Sequence, residues 1–317
     1  MTKISKRLIS ALKRKRDAEG LSIRALSTII GVSFSTLARI ERGDGGPDNN
    51  SLIRILDWLG EDGREFGMSF EDVALVHFRA RKNADSKTMR CLLEAAEILS
   101  SHFDDGGFDS EDSETEGPTS FPSIGYTALS KPEMEDLAED LRRDLDLAQT
   151  NALDALQIRI EGVEVYVPKE ISGLSERCIS HLNNAGSTDW SAMSVPLTAD
   201  FDKWAVLRND KHSVQRQRVT YLEECWHILL GHKLTKIANI SDSYGRTYDS
   251  NEEHDAYYLA SASLLPRAAV MKSVKKGKTA AEIAEAFGVS PELVEYRIKR
   301  LHLWKNYKGM TVKLAKG

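Results

Sequence analysis

Cysteine is scarce: three residues, Cys91, Cys178 and Cys225, in a chain of 317. Their odd number and wide spacing argue against a disulfide framework and a cysteine-rich zinc knuckle, and fit a reducing compartment. Long apolar runs are missing too, so no segment approaches the ~20 residues of a membrane-spanning helix. The N-terminus is polar and basic, without the apolar stretch of a secretion signal. A strong overall charge is also absent, the net value being −5. What remains is an ordinary globular composition, expected to be cytoplasmic and without membrane association, and long enough for two or more domains.

The near-neutral total hides a marked asymmetry. Residues 1–43 carry ten Lys/Arg against three Asp/Glu (10 − 3 = +7). Residues 103–116 carry seven acids and no base, and residues 272–317 carry eleven bases against four acids (11 − 4 = +7). Basic ends joined by an acidic connector suggest contact with a polyanion.

Residues 4–59 read as short helices punctuated by glycine, with Ser22 and Ser33 as N-caps and Gly31 as a tight turn. Leu8, Leu12, Leu26, Ile30, Val32, Leu37, Ile40, Leu52 and Leu56 form the expected core. The stretch LSIRALSTIIGVSFSTLARIERG, Leu21 to Gly43, closely resembles the helix-turn-helix of Xre/Cro-type repressors. That resemblance implies double-stranded DNA as partner, with the second helix entering the major groove. Ser33, Phe34, Ser35, Thr36 and Arg39 would then face DNA, and Arg24 and Arg42 would contact phosphates. Ile23 and Phe34 stand where that family often has glutamine, so amide-to-adenine readout is not expected. The bland alternative is a helical docking or dimerisation module. A pseudo-palindromic operator would imply a homodimer.

Residues 70–81 and 86–99 read as a further helix pair, with Arg79, Arg81 and Lys82 as backbone contacts or as a solvated face. This gives a first domain over residues 1–102. Residues 103–125, rich in acids, Ser, Gly and Pro, read as a flexible linker. The remainder, residues 126–317, alternates: a helix over 131–147, strands over 158–160, 163–167, 190–197 and 204–208, a short helix over 175–181 and a long helix over 214–234. A polar loop over 241–247 follows. The expected architecture is therefore multidomain, an all-α first domain followed by an α+β second one.

On the long helix, TYLEECWHILLGH places Glu223 and His227 at i and i+4 on one face, with Glu224 turned about 100° from Glu223. Two ligands at that spacing with an acid between them is the pattern by which zinc peptidases hold the metal and activate water. A second helical stretch, HDAYYLASASLLP, begins at His254. Together the two resemble the ImmA/IrrE family of zinc-dependent metallopeptidases, which implies a zincin-like fold, and the helix-turn-helix cadence of residues 279–303 resembles the segment that closes those proteins.

Residue by residue, the resemblance places metal ligands on Glu223, His227 and Asp255, and the general base on Glu224. Glu223 stands where the family has the first histidine of its His-Glu-x-x-His motif, which leaves the motif degenerate. Two carboxylates and one imidazole would leave a bound Zn2+ formally neutral and its water a weaker acid; an oxygen-rich set also suits Mn2+. Cys225 points away from that face, His254 is a lesser alternative ligand, and His232 reads as a helix-end residue favoured by the dipole. His212, Arg216 and Arg218, ahead of the motif, either position a bound peptide or only complement their surroundings.

Three functions follow from different classes. The first is a transcriptional regulator whose peptidase-like domain, with altered or lost catalysis, serves as a sensor or binds another regulatory protein. The second is a metal-dependent endopeptidase that cleaves a repressor. The third is a non-catalytic antirepressor that binds another regulator.

Overall fold

The computed structural model describes residues 3–65, 70–80, 84–101, 129–240, 243–247 and 250–307. In chain order the elements are α1 (Lys3–Ala18), α2 (Ile23–Ile30), α3 (Phe34–Arg42), α4 (Asn49–Leu59), α5 (Glu61–Glu65), β1 (Asp72–Ala80) and α6 (Ser86–Ser101). There follow α7 (Lys131–Asp144), β2 (Val163–Tyr166), α8 (Glu176–Asn183), β3 (Trp190–Pro196), β4 (Trp204–Arg208), α9 (Val214–Leu229), β5 (Thr235–Ile240) and β6 (Ser243–Arg246). Four helices close the chain: α10 (Ser250–Leu264), α11 (Arg267–Lys275), α12 (Ala280–Phe287) and α13 (Pro291–Arg300). A helical N-terminal region is thus followed by an α+β region. No helix among the described residues is long and apolar enough to cross a membrane.

Two compact units interleave along the chain, residues 1–119, 162–209 and 233–250 in one, residues 120–161, 210–232 and 251–317 in the other. The first begins with helices set by serine caps and left-handed glycines. Ser22 Oγ accepts from Ala25 N at 3.0 Å and Ser33 Oγ from Thr36 N at 3.1 Å. Gly31 (φ 66°) and Gly43 (φ 80°) end α2 and α3 in a conformation that side chains disfavour. Leu12, Leu26 and Leu37 are fully buried between these helices, each contributing about 1.5–3 kcal/mol of hydrophobic stabilisation. The buried Glu41 of α3 accepts from Arg16 of α1 through both oxygens, at 2.6 and 3.0 Å.

The same unit holds a six-stranded mixed sheet of order β2-β4-β3-β1-β5-β6. β2 and β4 are parallel, and the other neighbours antiparallel. α4 lies close against β6: a Cβ on Gly245 would sit 3.0 Å from Asn49 O and 2.9 Å from Ile53 Cγ1, so glycine permits the approach. Asn50 Oδ1 accepts from Arg246 N at 3.2 Å, and Lys236 pairs with Asp57 at 2.6 Å. The helix-turn-helix is therefore fixed to the sheet edge by backbone contact as well as by charge.

Several sequence expectations are corrected. Residues 70–81, expected as a helix within an all-helical first domain, contain β1. That strand lies inside the sheet, paired with β3 on one side and β5 on the other, so tertiary partners more than a hundred residues away override its local pattern. Residues 158–160, expected as a strand, instead follow a single 3-10 turn, Ala155–Gln157. The polar loop expected over 241–247 contains β6, with residues 241–242 outside the described set. Cys91 of α6 and Cys178 of α8 form a disulfide with Cα atoms 5.1 Å apart, against the reading of the odd number and wide spacing of the cysteines as arguing against a disulfide framework. Sequence separation is a poor guide here, because both helices contribute to one core with Leu92, Leu182 and Trp190. The linker expected over 103–125, together with Arg81 and Lys82, lies outside the described residues.

The second unit is helical, and buried arginines tie it together. Arg142 of α7 donates to the carbonyls of Ser263, Ala148 and Asn151 at 2.6–2.8 Å. Arg297 of α13 makes a two-point pair with Glu135 of α7 at 2.8 and 2.9 Å, and Tyr258 OH of α10 donates to the same carboxylate at 2.6 Å.

Candidate functional site

On α3, Leu37, Ala38 and Ile40 point into the core, which turns the opposite face outward. Arg24, Ser33, Phe34, Ser35, Arg39 and Arg42 are exposed and Thr36 is half-buried. Phe34 is 49% exposed, with the Arg24 guanidinium 5.8 Å from its ring centre. Ser33 Oγ lies 3.0 Å from Ser35 Oγ and donates to Thr36 Oγ1 at 2.8 Å, so the start of α3 presents a small hydroxyl cluster. At the other end Arg42 Nε donates to Asp44 at 2.7 Å, and Arg39 reaches the Gly46 carbonyl at 3.4 Å. All seven residues singled out in the sequence thus gather on α3 and the adjoining surface of α2.

The second candidate cluster lies on α9, which Ser213 caps. Glu223 and Glu224 are completely buried, and His227 nearly so. The acidic pair is interior rather than on a solvated face. His232 joins the cluster. Gly231 (φ 59°) turns the chain back after α9, and His232 Nδ1 lies 2.9 Å from His227 Nδ1. The sequence reading, which gave His232 to the helix dipole, missed this contact; the glycine immediately before it was the available signal. A hydrogen bond between two Nδ1 atoms requires one ring to donate and the other to accept, so at least one of the pair is neutral.

Around the cluster, burial pushes the Asp255 carboxyl of α10 above the ordinary carboxylate range. Burial also lowers the neighbouring His254, helped by Arg300 and Lys131. Burial raises the Cys225 thiol to about 12, which leaves it a thiol rather than a nucleophilic thiolate. Arg218, one of the residues expected either to position a peptide or to complement its surroundings, pairs with Asp154 at 3.0 Å and donates to Gly288 O at 2.8 Å.

The fold and these two clusters define a class: a helix-turn-helix protein joined to a metallopeptidase-like α+β domain. Comparison with known families agrees and is more particular. Residues 12–66 match the helix-turn-helix family and residues 189–299 match the IrrE N-terminal-like domain of peptidase family M78. The chain therefore combines an Xre-type helix-turn-helix with an ImmA/IrrE-like domain. No significant match is found among curated proteins or among solved structures.

Family M78 is typically zinc-dependent, which makes the fit of these residues to zinc a direct question. Among the described residues no group of three or more His, Cys, Asp or Glu side chains is placed to hold one ion. The ligand set Glu223, His227 and Asp255 for Zn2+ or Mn2+ is carried by the resemblance alone, and no chemical step is routed through a metal.

Proposed function

We propose that the protein is a DNA-binding transcriptional regulator in which α3 reads duplex DNA and the ImmA/IrrE-like domain serves as a sensor or partner-binding module. The observation that carries this reading is the outward face of α3. Exposed arginines and hydroxyls sit around an exposed aromatic ring, on a helix whose other face is locked into the core. Arg39 and Arg42 supply charge for phosphates and Arg24 supplies it beside Phe34, while the serine cluster is short enough for a close backbone approach.

The regulator reading is preferred to the endopeptidase because Glu223 would put a carboxylate where the family has an imidazole, which weakens the Lewis acidity that water activation beside Glu224 needs. The site set proposed for DNA is Arg24, Ser33, Phe34, Ser35, Thr36, Arg39 and Arg42.

The test is fluorescence anisotropy on genomic DNA fragments over a range of salt. The plot of log affinity against log salt should be linear, and Arg39→Ala/Arg42→Ala should reduce its slope by about two, roughly one for each phosphate no longer neutralised. Equal binding by wild type and the double variant would remove α3 from the interface.

A further inference from the structure

In the first unit, where α2 and α4 meet β5 and β6, there is a cavity of about 380 Å3, within the range of small-molecule sites. Its walls divide chemically. Ile29 and Trp58 supply an apolar side, and Ile29 is 56% exposed, a large area for an isoleucine to leave in water. Arg54, Lys233 and Lys236 supply cations against one acid, Asp57 (3 − 1 = +2). Asp57 is already paired with Lys236 at 2.6 Å, and both side chains remain partly exposed.

Arg54 is the most constrained of these residues. Only 3% exposed, it donates from Nε to Arg246 O at 3.3 Å and from Nη1 to Gly31 O at 3.1 Å. A buried guanidinium fixed by two backbone carbonyls is a rigid positive wall, whereas Lys233 is an exposed cation on a flexible stem at the rim. Apolar wall, aromatic ring and net positive charge select one ligand class over neutral or cationic ones.

We propose that this cavity binds a small amphipathic organic anion, an aromatic carboxylate or its sulfonate equivalent, with the ring against Trp58 and Ile29 and the charge toward Arg54 and Lys233. The bound molecule touches the side chain that holds Gly31 O, the carbonyl of the turn between α2 and α3. The site is therefore connected by one residue to the turn that sets the α3 angle. The connection to DNA rests on the function proposed above; the binding itself does not.

The test uses the full chain without DNA. The probe is the fluorescent anion 8-anilinonaphthalene-1-sulfonate, with naphthoate as competitor and naphthylmethanol as its neutral counterpart. Expected is saturable one-to-one binding that naphthoate displaces and naphthylmethanol does not, weakened about tenfold or more by Lys233→Glu. Ile29→Glu, also at an exposed position, should weaken it similarly, and unchanged circular dichroism melts show that both variants fold. Non-saturable binding, equal displacement by the neutral compound, or wild-type affinity in both variants would overturn the proposal. Because no DNA is present, these failures are distinct from a failure of α3 to bind an operator.

Discussion

In α2–α3 and again in α12–α13, a short helix ends at a left-handed glycine, Gly31 at φ 66° and Gly288 at φ 64°. A serine then caps the next helix, Ser33 onto Thr36 N and Ser290 onto Leu293 N. The backbone devices are nearly interchangeable, but the side chains have different destinations. α3 has no acid in its first turn and exposes Arg39 and Arg42. α13 opens on Pro291 and Glu292 and sends Arg297 inward, fully buried against Glu135. Caps and glycines make the turn in both; the arginines stay on the surface in one, and Arg297 is buried within the domain in the other. Lys299 and Arg300, the other basic residues of α13, sit at the far end of the helix from the first turn that reads base edges in helix-turn-helix motifs.

The largest effect is expected where that difference is greatest. Arg297→Ala leaves the buried Glu135 carboxylate without its main partner and should cost about 3–5 kcal/mol, read by urea unfolding. Burial alone would raise the Glu135 carboxyl, but the Arg297 charge and hydrogen bonds outweigh it and hold it below its ordinary value. With a depressed folded pKa, the stabilisation is complete above the unfolded carboxyl pKa of about 4.3 and lost as pH falls through the folded one. The destabilisation of Glu135→Gln relative to wild type should therefore shrink between about pH 6 and about pH 3. A constant difference would mean that the pair contributes through packing rather than charge. Arg39→Ala, by contrast, should leave stability within about 0.5 kcal/mol, as expected of a surface position.

A smaller effect tests the two glycines. Gly31→Ala and Gly288→Ala each place a side chain in the left-handed region, at about 1–2 kcal/mol. Gly288→Ala should cost more, because its Cβ would run into the guanidinium of Arg218, which donates to Gly288 O. The excess should vanish in an Arg218→Ala background, a coupling that a double-mutant cycle resolves. Equal costs in both backgrounds would show that Arg218 moves aside freely.

These comparisons also explain what could be read in advance. The first sixty residues were legible because capping serines and turn glycines act within four residues of themselves. α9 was legible because its apolar spacing is local, and so was the i, i+4 relation of Glu223 and His227. β1 was not. Its residues Val76, His77 and Phe78 are all buried, so the strand lacks the alternation that distinguishes it from a short helix. Its partners, Ser194 and Thr235 among them, lie far along the chain. The Cys91–Cys178 pair and the approach of His232 to His227 failed for related reasons: one depends on two helices sharing a core, the other on a chain reversal at Gly231. Spacing places donors on one face of one helix, but it does not place a third donor from another helix.

The smallest effect concerns the surface charges themselves. Arg42 is held by Asp44 at 2.7 Å with both side chains more than half exposed, and on α13 Lys299 lies 3.9 Å from Glu295 in a similarly open pair. Such pairs contribute about 0–1 kcal/mol, so neither substitution should disturb folding. If α3 alone faces DNA, Asp44→Asn removes an anion beside the phosphates and frees Arg42, tightening DNA by up to about fivefold at low salt. Screening should erase the gain as salt rises. Glu295→Gln makes the same change of charge on α13 and should leave the affinity where it was. An equal gain from both would put α13 at the DNA as well, and the distinction drawn from the buried Arg297 would have to be abandoned.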